Sequence, residues 1–194
     1  TASLVAAGQD LSFGYQGKGD RRLLERFSGD LSYEVRIIDK GFDGEREISS
    51  TYVRECVEKG DMEKAEELLG RAYSFTGKVE RGKQLGRRLG MPTLNLYPPE
   101  EKLLPPRGVY YSRVLFEGGT YPGITNIGYK PTVNEEKKIS VETYLYDFDR
   151  DMYGSEIVTE LLHYKRPEKK FENISELKTQ MESDISQGRQ YHNC

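Results

Sequence analysis

Apolar and polar positions change their period part-way along this chain. Up to about residue 72, short apolar runs alternate with helix-spaced stripes; beyond it, two-residue alternation dominates. Leu4-Val-Ala-Ala7, closed by Gly8, reads as a short buried strand, and residues 9–20 read as a loop. Leu23, Leu24 and Phe27 predict a short helix from Arg21 to Phe27, and Tyr33–Ile38 predicts a strand. Ile48-Ser-Ser-Thr51 offers N-cap oxygens for a helix through Val57, striped by Tyr52, Val53, Cys56 and Val57. After Gly60-Asp61 a second helix is predicted from Met62 to Leu69, with Gly70 as its stop. Strand, helix, strand, helix, helix is the order of half a doubly wound α/β domain.

From Tyr73 onward strand-like segments recur between turn signals, which predicts a small antiparallel barrel. Gly108–Phe116 alternates and ends at Gly118-Gly119, a hairpin turn answered by Thr120–Ile127. Lys130-Pro-Thr132 is expected to turn away, and the charged run Asn134–Lys138 to form a solvated loop. In Ile139–Tyr146 the alternation is strict: Ile139, Val141, Thr143 and Leu145 share one face, Ser140, Glu142, Tyr144 and Tyr146 the other. Tyr153-Gly154 marks a turn, and Glu156–Tyr164 another strand that ends at Arg166-Pro167. Asn173 and Glu176 form a capping-box-like start to a last helix striped by Ile174, Leu177, Met181 and Ile185, expected to cover the barrel and to fray from Arg189.

Composition narrows the class. The 194 residues suffice for one good-sized domain and part of another. A net charge of −3 argues against a nucleic-acid or anionic-membrane surface, and no apolar run reaches the length of a membrane span. Cys56 and Cys194, one in a helical pattern and one at the end, fit a reducing, cytoplasmic setting without disulfides. His163 and His192 are too isolated for a metal cluster and read as ordinary surface or strand residues. The chain begins at Thr1 without an initiator Met, as a processed, cut-down or partial product would.

The chemistry concentrates between Gly77 and Asn95. Gly77, Gly82, Gly86 and Gly90 let the backbone approach a ligand and turn its N–H groups toward an anion. Lys83, Arg87 and Arg88 add positive charge, and Thr93 and Asn95 offer oxygen ligands suited to Mg²⁺. The segment is not a Walker A loop, because Gln84 stands where that motif has Ser or Thr. On spacing alone it is equally a glycine-rich turn region with solvated charges.

The pattern G-x-V-x-x-G-x-x-x-G-R-x-L-G-x-P-T-x-N resembles the signature loop of riboflavin kinases, the flavokinase module of bacterial bifunctional FAD synthetases, with Leu94 in place of the usual Ala. Val141-Glu-Thr143, Asp147-Phe148 and Asp151-x-Tyr153-Gly154 resemble a second block of that family, in which the Glu is the catalytic base. A strand carboxylate more often simply faces solvent; the resemblance instead implies that Glu142 is the base. Asn126-Ile-Gly128 with Lys130-Pro-Thr132 resembles a third segment, bordering the nucleotide site. Arg166-Pro-Glu168 with Phe171 resembles a fourth, near the flavin, with Lys165 where the family has Leu.

For residues 73–194 the resemblance implies a mainly β fold: a six-stranded antiparallel Greek-key barrel with a C-terminal helix. It implies riboflavin phosphorylation at the ribityl 5′-hydroxyl, with ATP and Mg²⁺, giving FMN. Gly77, Gly82, Lys83, Gly86, Arg87, Gly90, Thr93 and Asn95 would hold ATP phosphates, Thr93 and Asn95 the metal, and Arg166 and Glu168 the flavin. Gly8-x-Asp10-x-x-Phe13-Gly14, Gly19-Asp20 and Ile48-Ser-Ser-Thr-x-Val-Arg54 are similar to an FMN adenylyltransferase domain, with Leu11 replacing a Phe. That domain's H-x-G-H motif is absent from the sequence. Residues 1–72 are therefore expected to be part of a Rossmann-like nucleotidyltransferase segment that does not adenylylate FMN unaided. One competing expectation is a fragment of a complete bifunctional FAD synthetase, and a second is a flavin- or nucleotide-binding module without turnover.

Overall fold

The chain folds as two units, which divide between Ser49 and Ser50 in the computed structural model. The structure describes residues 2–82, 85–131 and 137–194. In the first unit β1 (Leu4–Gly8) pairs in parallel with β2 (Glu34–Ile38), running from Leu4 opposite Glu34 to Gly8 opposite Ile38. Between them α1 (Arg21–Leu31) is capped by Asp20, whose carboxylate accepts from the Leu23 amide at 3.0 Å. It runs one turn past Phe27 and stops where Ser32 turns left-handed at φ 55°. A hairpin that the sequence pattern did not predict, β3 (Phe42–Asp43) and β4 (Arg46–Glu47), follows.

The second unit opens with α2 (Ser50–Lys59) and α3 (Met62–Leu69), so the helix pair packs with the barrel. Cys56, Val57, Met62 and Ala65 are buried together with Phe75 and Leu161. Then come β5 (Tyr73–Lys78), one short helical turn α4 (Leu85–Arg88), β6 (Leu94–Leu96), β7 (Gly108–Phe116), β8 (Gly119–Pro131), β9 (Lys137–Leu145), β10 (Glu156–Pro167) and α5 (Ile174–His192). The six strands form one antiparallel sheet in the order β5-β10-β7-β8-β9-β6. The sheet curls until its edges meet: the Glu80 amide, just past β5, donates to the Asn95 carbonyl of β6 at 2.9 Å. This is the expected six-stranded antiparallel barrel with its C-terminal helix.

Several boundaries need correcting. β8 does not turn away at Lys130 but continues to Pro131, and Lys137 and Lys138 belong to β9 rather than to a loop. Thr132 and Asn134–Glu136 lie outside the described residues. The last helix does not fray at Arg189; it runs to His192, with Arg189 bound to both carboxylate oxygens of Asp147 at 2.7 and 2.8 Å. Ile174, expected on its inner stripe, is 61% exposed.

Period-two alternation separates two apolar layers. The inner faces contribute Phe75, Leu96, Tyr110, Val114, Ile127, Val141, Leu145, Ile157 and Leu161 to the main core. Inside it Thr125 is hydrogen-bonded to Ser112 at 2.7 Å and to Thr143 at 2.8 Å, so three buried hydroxyls satisfy one another. The outer faces of β7, β8 and β9 present Val109, Tyr111, Ile124 and Tyr144, which with Tyr146 just past β9 form a second cluster packed against Ile185 of α5.

Candidate active site

Between that outer face and α5 the layers do not close completely. They leave a cavity of about 320 Å³, near the lower end of small-ligand pockets, roughly 300–1,000 Å³. Its floor is Val109, Ile124, Asn126, Glu142 and Tyr144; its roof is Leu177, Met181, Asp184 and Ile185; Arg166, Glu168, Lys169 and Phe171 close one side. Leu85, Gly86 and Thr93 border it from the glycine-rich loop. Apolar and aromatic side chains share the wall with a comparable number of polar and charged ones.

Glu142 reaches this cavity because β9 alternates. With Val141 and Thr143 turned into the core, Glu142 must face outward, beside Ser140, whose hydroxyl lies 3.5 Å from its carboxylate. Pairing sets its neighbours: Asn126 of β8 on one side and Asn95 of β6 on the other. Directly opposed side chains in antiparallel strands stand roughly 4.5–5.5 Å apart at Cβ. The carboxylate thus belongs to the floor of the cavity and lies beside the end of the glycine-rich loop.

A second cavity, about 180 Å³, lies on the other side of that loop. Arg87, Pro92, Thr93, Leu94 and Asn95 line it with Leu145 and the segment Phe148–Tyr153. Thr93 borders both cavities. The loop's glycines serve its own packing first. A side chain at Gly82 would run into the Asn95 carboxamide, and one at Gly86 into the Met91 carbonyl. The Gly86 carbonyl accepts from the Met91 amide at 2.8 Å, and Gly90 has a left-handed φ of 81°. The Asn95 side-chain amide, almost fully buried, donates to the Thr93 carbonyl at 3.2 Å.

The expected site residues therefore divide. Glu142, Thr93, Gly86, Arg166 and Glu168 meet at the larger cavity, and Arg87, Thr93 and Asn95 at the smaller. Gly82 and Gly90 shape the loop between them. Gly77 lies in β5 opposite Ile157 and lines neither cavity. Lys83 lies outside the described residues. Arg166 pairs not with Glu168 but with Asp184 of α5; Glu168 meets Arg107 at 3.4 Å and presses against the Gly128 backbone. Lys165 turns away from the cavity to Gln187, and Phe171, Leu177 and Met181 supply apolar wall.

Sequence reasoning missed Asp184. The available signal was a charge seven residues after Leu177 and three after Met181, hence on the apolar face of α5. His192 was also underestimated: it lies within hydrogen-bond distance of the Gly123 carbonyl, and burial holds its imidazole below the usual range.

An antiparallel barrel with a carboxylate in the floor of a ring-sized cavity, beside a glycine-rich loop, defines a class of small-molecule site on a closed β-fold. The riboflavin kinase family profile (Flavokinase) matches residues 69–192, and the chain belongs to that family. It is 36% identical to the bifunctional riboflavin kinase/FMN adenylyltransferase of Listeria monocytogenes over 187 residues, covering 96% of this chain and 59% of the relative. The Bacillus subtilis protein of the same name is also 36% identical, over 191 residues, with 96% and 60% covered. A solved structure described as a macrolide-efflux protein from Streptococcus pneumoniae matches with TM-score 0.79 at 29% identity, over 94% of this chain and 59% of that one. The chain thus spans 59–60% of the length of these relatives.

Proposed function

We propose that this chain phosphorylates riboflavin, moving the γ-phosphoryl group of ATP to the ribityl 5′-hydroxyl to give FMN and ADP. The observation that carries the reading is Glu142 in the floor of the larger cavity, beside a loop whose Thr93 borders both cavities. The isoalloxazine ring fits between Ile124, Tyr144, Phe171 and Met181, with the ribityl chain extending toward Glu142 and Thr93. The nucleotide takes the smaller cavity, where Arg87 supplies charge and Phe148 and Tyr153 aromatic surface. Glu142 accepts a hydrogen bond from the 5′-hydroxyl. It takes the proton as the new O–P bond forms and the bond to ADP breaks. Holding the two substrates on either side of one carboxylate supplies much of the rate in such a transfer.

The residues fit a metal ion in a limited way. Among the described residues no cluster of His, Cys, Asp or Glu makes a cage. Thr93 and Asn95 offer oxygens at the junction, which suits Mg²⁺ that keeps water and takes phosphate oxygens. Bound there, Mg²⁺ would neutralise charge on the phosphates.

Residues 73–194 constitute the kinase part in this reading, and residues 1–72 part of an FMN adenylyltransferase-like segment that makes no FAD by itself. Among the described residues no helix is long and apolar enough to cross a membrane, and a cytoplasmic setting with only small-molecule partners suits the reaction. Incubation with riboflavin, ATP and Mg²⁺, followed by chromatography, tests all of this. FMN without FAD is expected. Flavin binding without FMN would leave a binding module, and FAD would refute the inactivity assigned to the N-terminal segment.

A further inference from the structure

We infer that Asp184 is a positioning residue for the flavin: it acts through Arg166, which it locks into the wall of the larger cavity. The inference rests on the flavin reading of that cavity. Asp184 is only 4% exposed. Its carboxylate accepts from Arg166 Nε at 3.1 and 3.2 Å, from Arg166 Nη2 at 2.5 Å and from Gln180 Nε2 at 3.1 Å. Arg166 Nη1 donates to the Pro167 carbonyl at 2.9 Å.

A guanidinium has five N–H donors in one plane. Three of them are taken by these bonds, so the plane is fixed in orientation. The remaining two, one on each terminal nitrogen, are left for a ligand with acceptor oxygens or nitrogens on a planar ring. Lys165 and Lys169 flank the pair on the barrel side, yet Lys165 is turned to Gln187 and Lys169 lies over Phe171.

A buried ion pair is a poor way merely to fasten a helix. An apolar side chain of similar size does that as well or better, whereas removing one partner strands the other charge. Holding an arginine in one pose is something only the pair can do. Arg166 ends β10 and Asp184 sits mid-way along α5, so the pair also fixes the roof over the floor strands.

The test compares wild type with Asp184→Asn, Asp184→Leu, Arg166→Gln and the double variant Asp184→Asn/Arg166→Gln. Riboflavin binding is read by fluorescence quenching, with KM for riboflavin and for ATP measured alongside. Asp184→Asn is expected to weaken riboflavin about tenfold while KM for ATP stays within twofold. Asp184→Leu should weaken riboflavin as much although it restores apolar packing, and covers the case in which the amide variant fails to fold. In the Arg166→Gln background, Asp184→Asn should add less than twofold. Wild-type riboflavin affinity in Asp184→Leu would overturn the inference, as would equal losses for ATP and flavin or effects that multiply in the double variant. If wild type binds riboflavin but makes no FMN, the kinase reading fails and the binding comparison still decides the role of Asp184. A wild type that binds no riboflavin overturns both.

Discussion

Replacing Glu142 with Gln removes the proposed base while keeping the length and shape of the side chain. Gln has nearly the same volume, and position 142 keeps its alternation and its asparagine neighbours at 95 and 126. The Ser140 hydroxyl, 3.5 Å away, can meet an amide oxygen as readily as a carboxylate. Weakening a carboxylate's hydrogen bonds should still cost stability on the order of 1 kcal/mol, or roughly 2–4 °C in Tm for a chain of this size. Turnover should fall far more. Loss of one general base lowers the rate by about 10²–10⁴-fold, which raises the barrier by about 2.7–5.4 kcal/mol. Glu142→Asp gives an independent measure: it withdraws the carboxylate by about one C–C bond, ~1.5 Å, and misplacement on that scale costs about 10²-fold. The assay is FMN formation at saturating ATP, resolved into kcat and KM for riboflavin, beside a thermal melt. Turnover of Glu142→Gln within threefold of wild type, with intact Tm, would remove Glu142 from the chemistry. A higher KM at unchanged kcat would make it a binding group only.

Other expectations follow from particular contacts. Gly86→Ala drives a methyl group into the Met91 carbonyl, a backbone atom that cannot swing aside; a loss of about 1–3 kcal/mol in stability or a fall in kcat/KM for ATP is expected, and wild-type values of both would refute the packing argument. Among the described residues the Tyr146 hydroxyl, buried under Gly188, has no hydrogen-bond partner. Tyr146→Phe should thus leave chemical-denaturation stability unchanged or raise it by about 1 kcal/mol, and a loss of that size would show a missed partner. Burial lowers the His192 imidazole below its usual value near 6.5. The unfolded chain then takes up the proton first as pH falls through 6.5, so stability is lost on the acid side of that value. In His192→Gln the drop in Tm between pH 7.5 and 5.5 should be smaller, and an equal drop would assign the acid loss elsewhere.

What the sequence made legible is what depends on local period and capping. The inner face of β9 is readable because a strand with one buried face must alternate, and Glu142 had to point the other way. The start of α5 is readable because its cap is built from neighbours: the Glu176 backbone amide donates to Asn173 Oδ1 and the Asn173 side-chain Nδ2 to Glu176 Oε1, both at 2.9 Å. The Arg166–Asp184 pair spans two elements and needs the helix laid across the barrel before it exists. The glycine-rich loop is legible only in part, for a related reason. Its spacing suggests an anion cradle, but at Gly82 and Gly86 the missing side chain is already required by Asn95 and Met91, partners that meet the loop only after it folds back.

That fold-back links closure of the barrel to the chemistry. Asn95 is the residue at which the curled sheet meets its own edge, through the Glu80 amide and the Asn95 carbonyl. It is also the residue that β6 sets opposite Glu142. Its side chain then ties back to Thr93, which borders both cavities and lies beside the short turn Leu85–Arg88. The register of β6 thus fixes three things together: the end of the barrel, the place of the carboxylate in the wall of the larger cavity, and the anchor of the loop that separates the two cavities. A one-residue slip there would turn Glu142's neighbour from Asn95 to an apolar leucine on either side, Leu94 or Leu96. Leu94 and Leu96 pack with the core, so the hydrophobic pattern of β6 itself opposes that slip. The most local of signals, two leucines around an asparagine, therefore holds the geometry on which the proposed reaction depends.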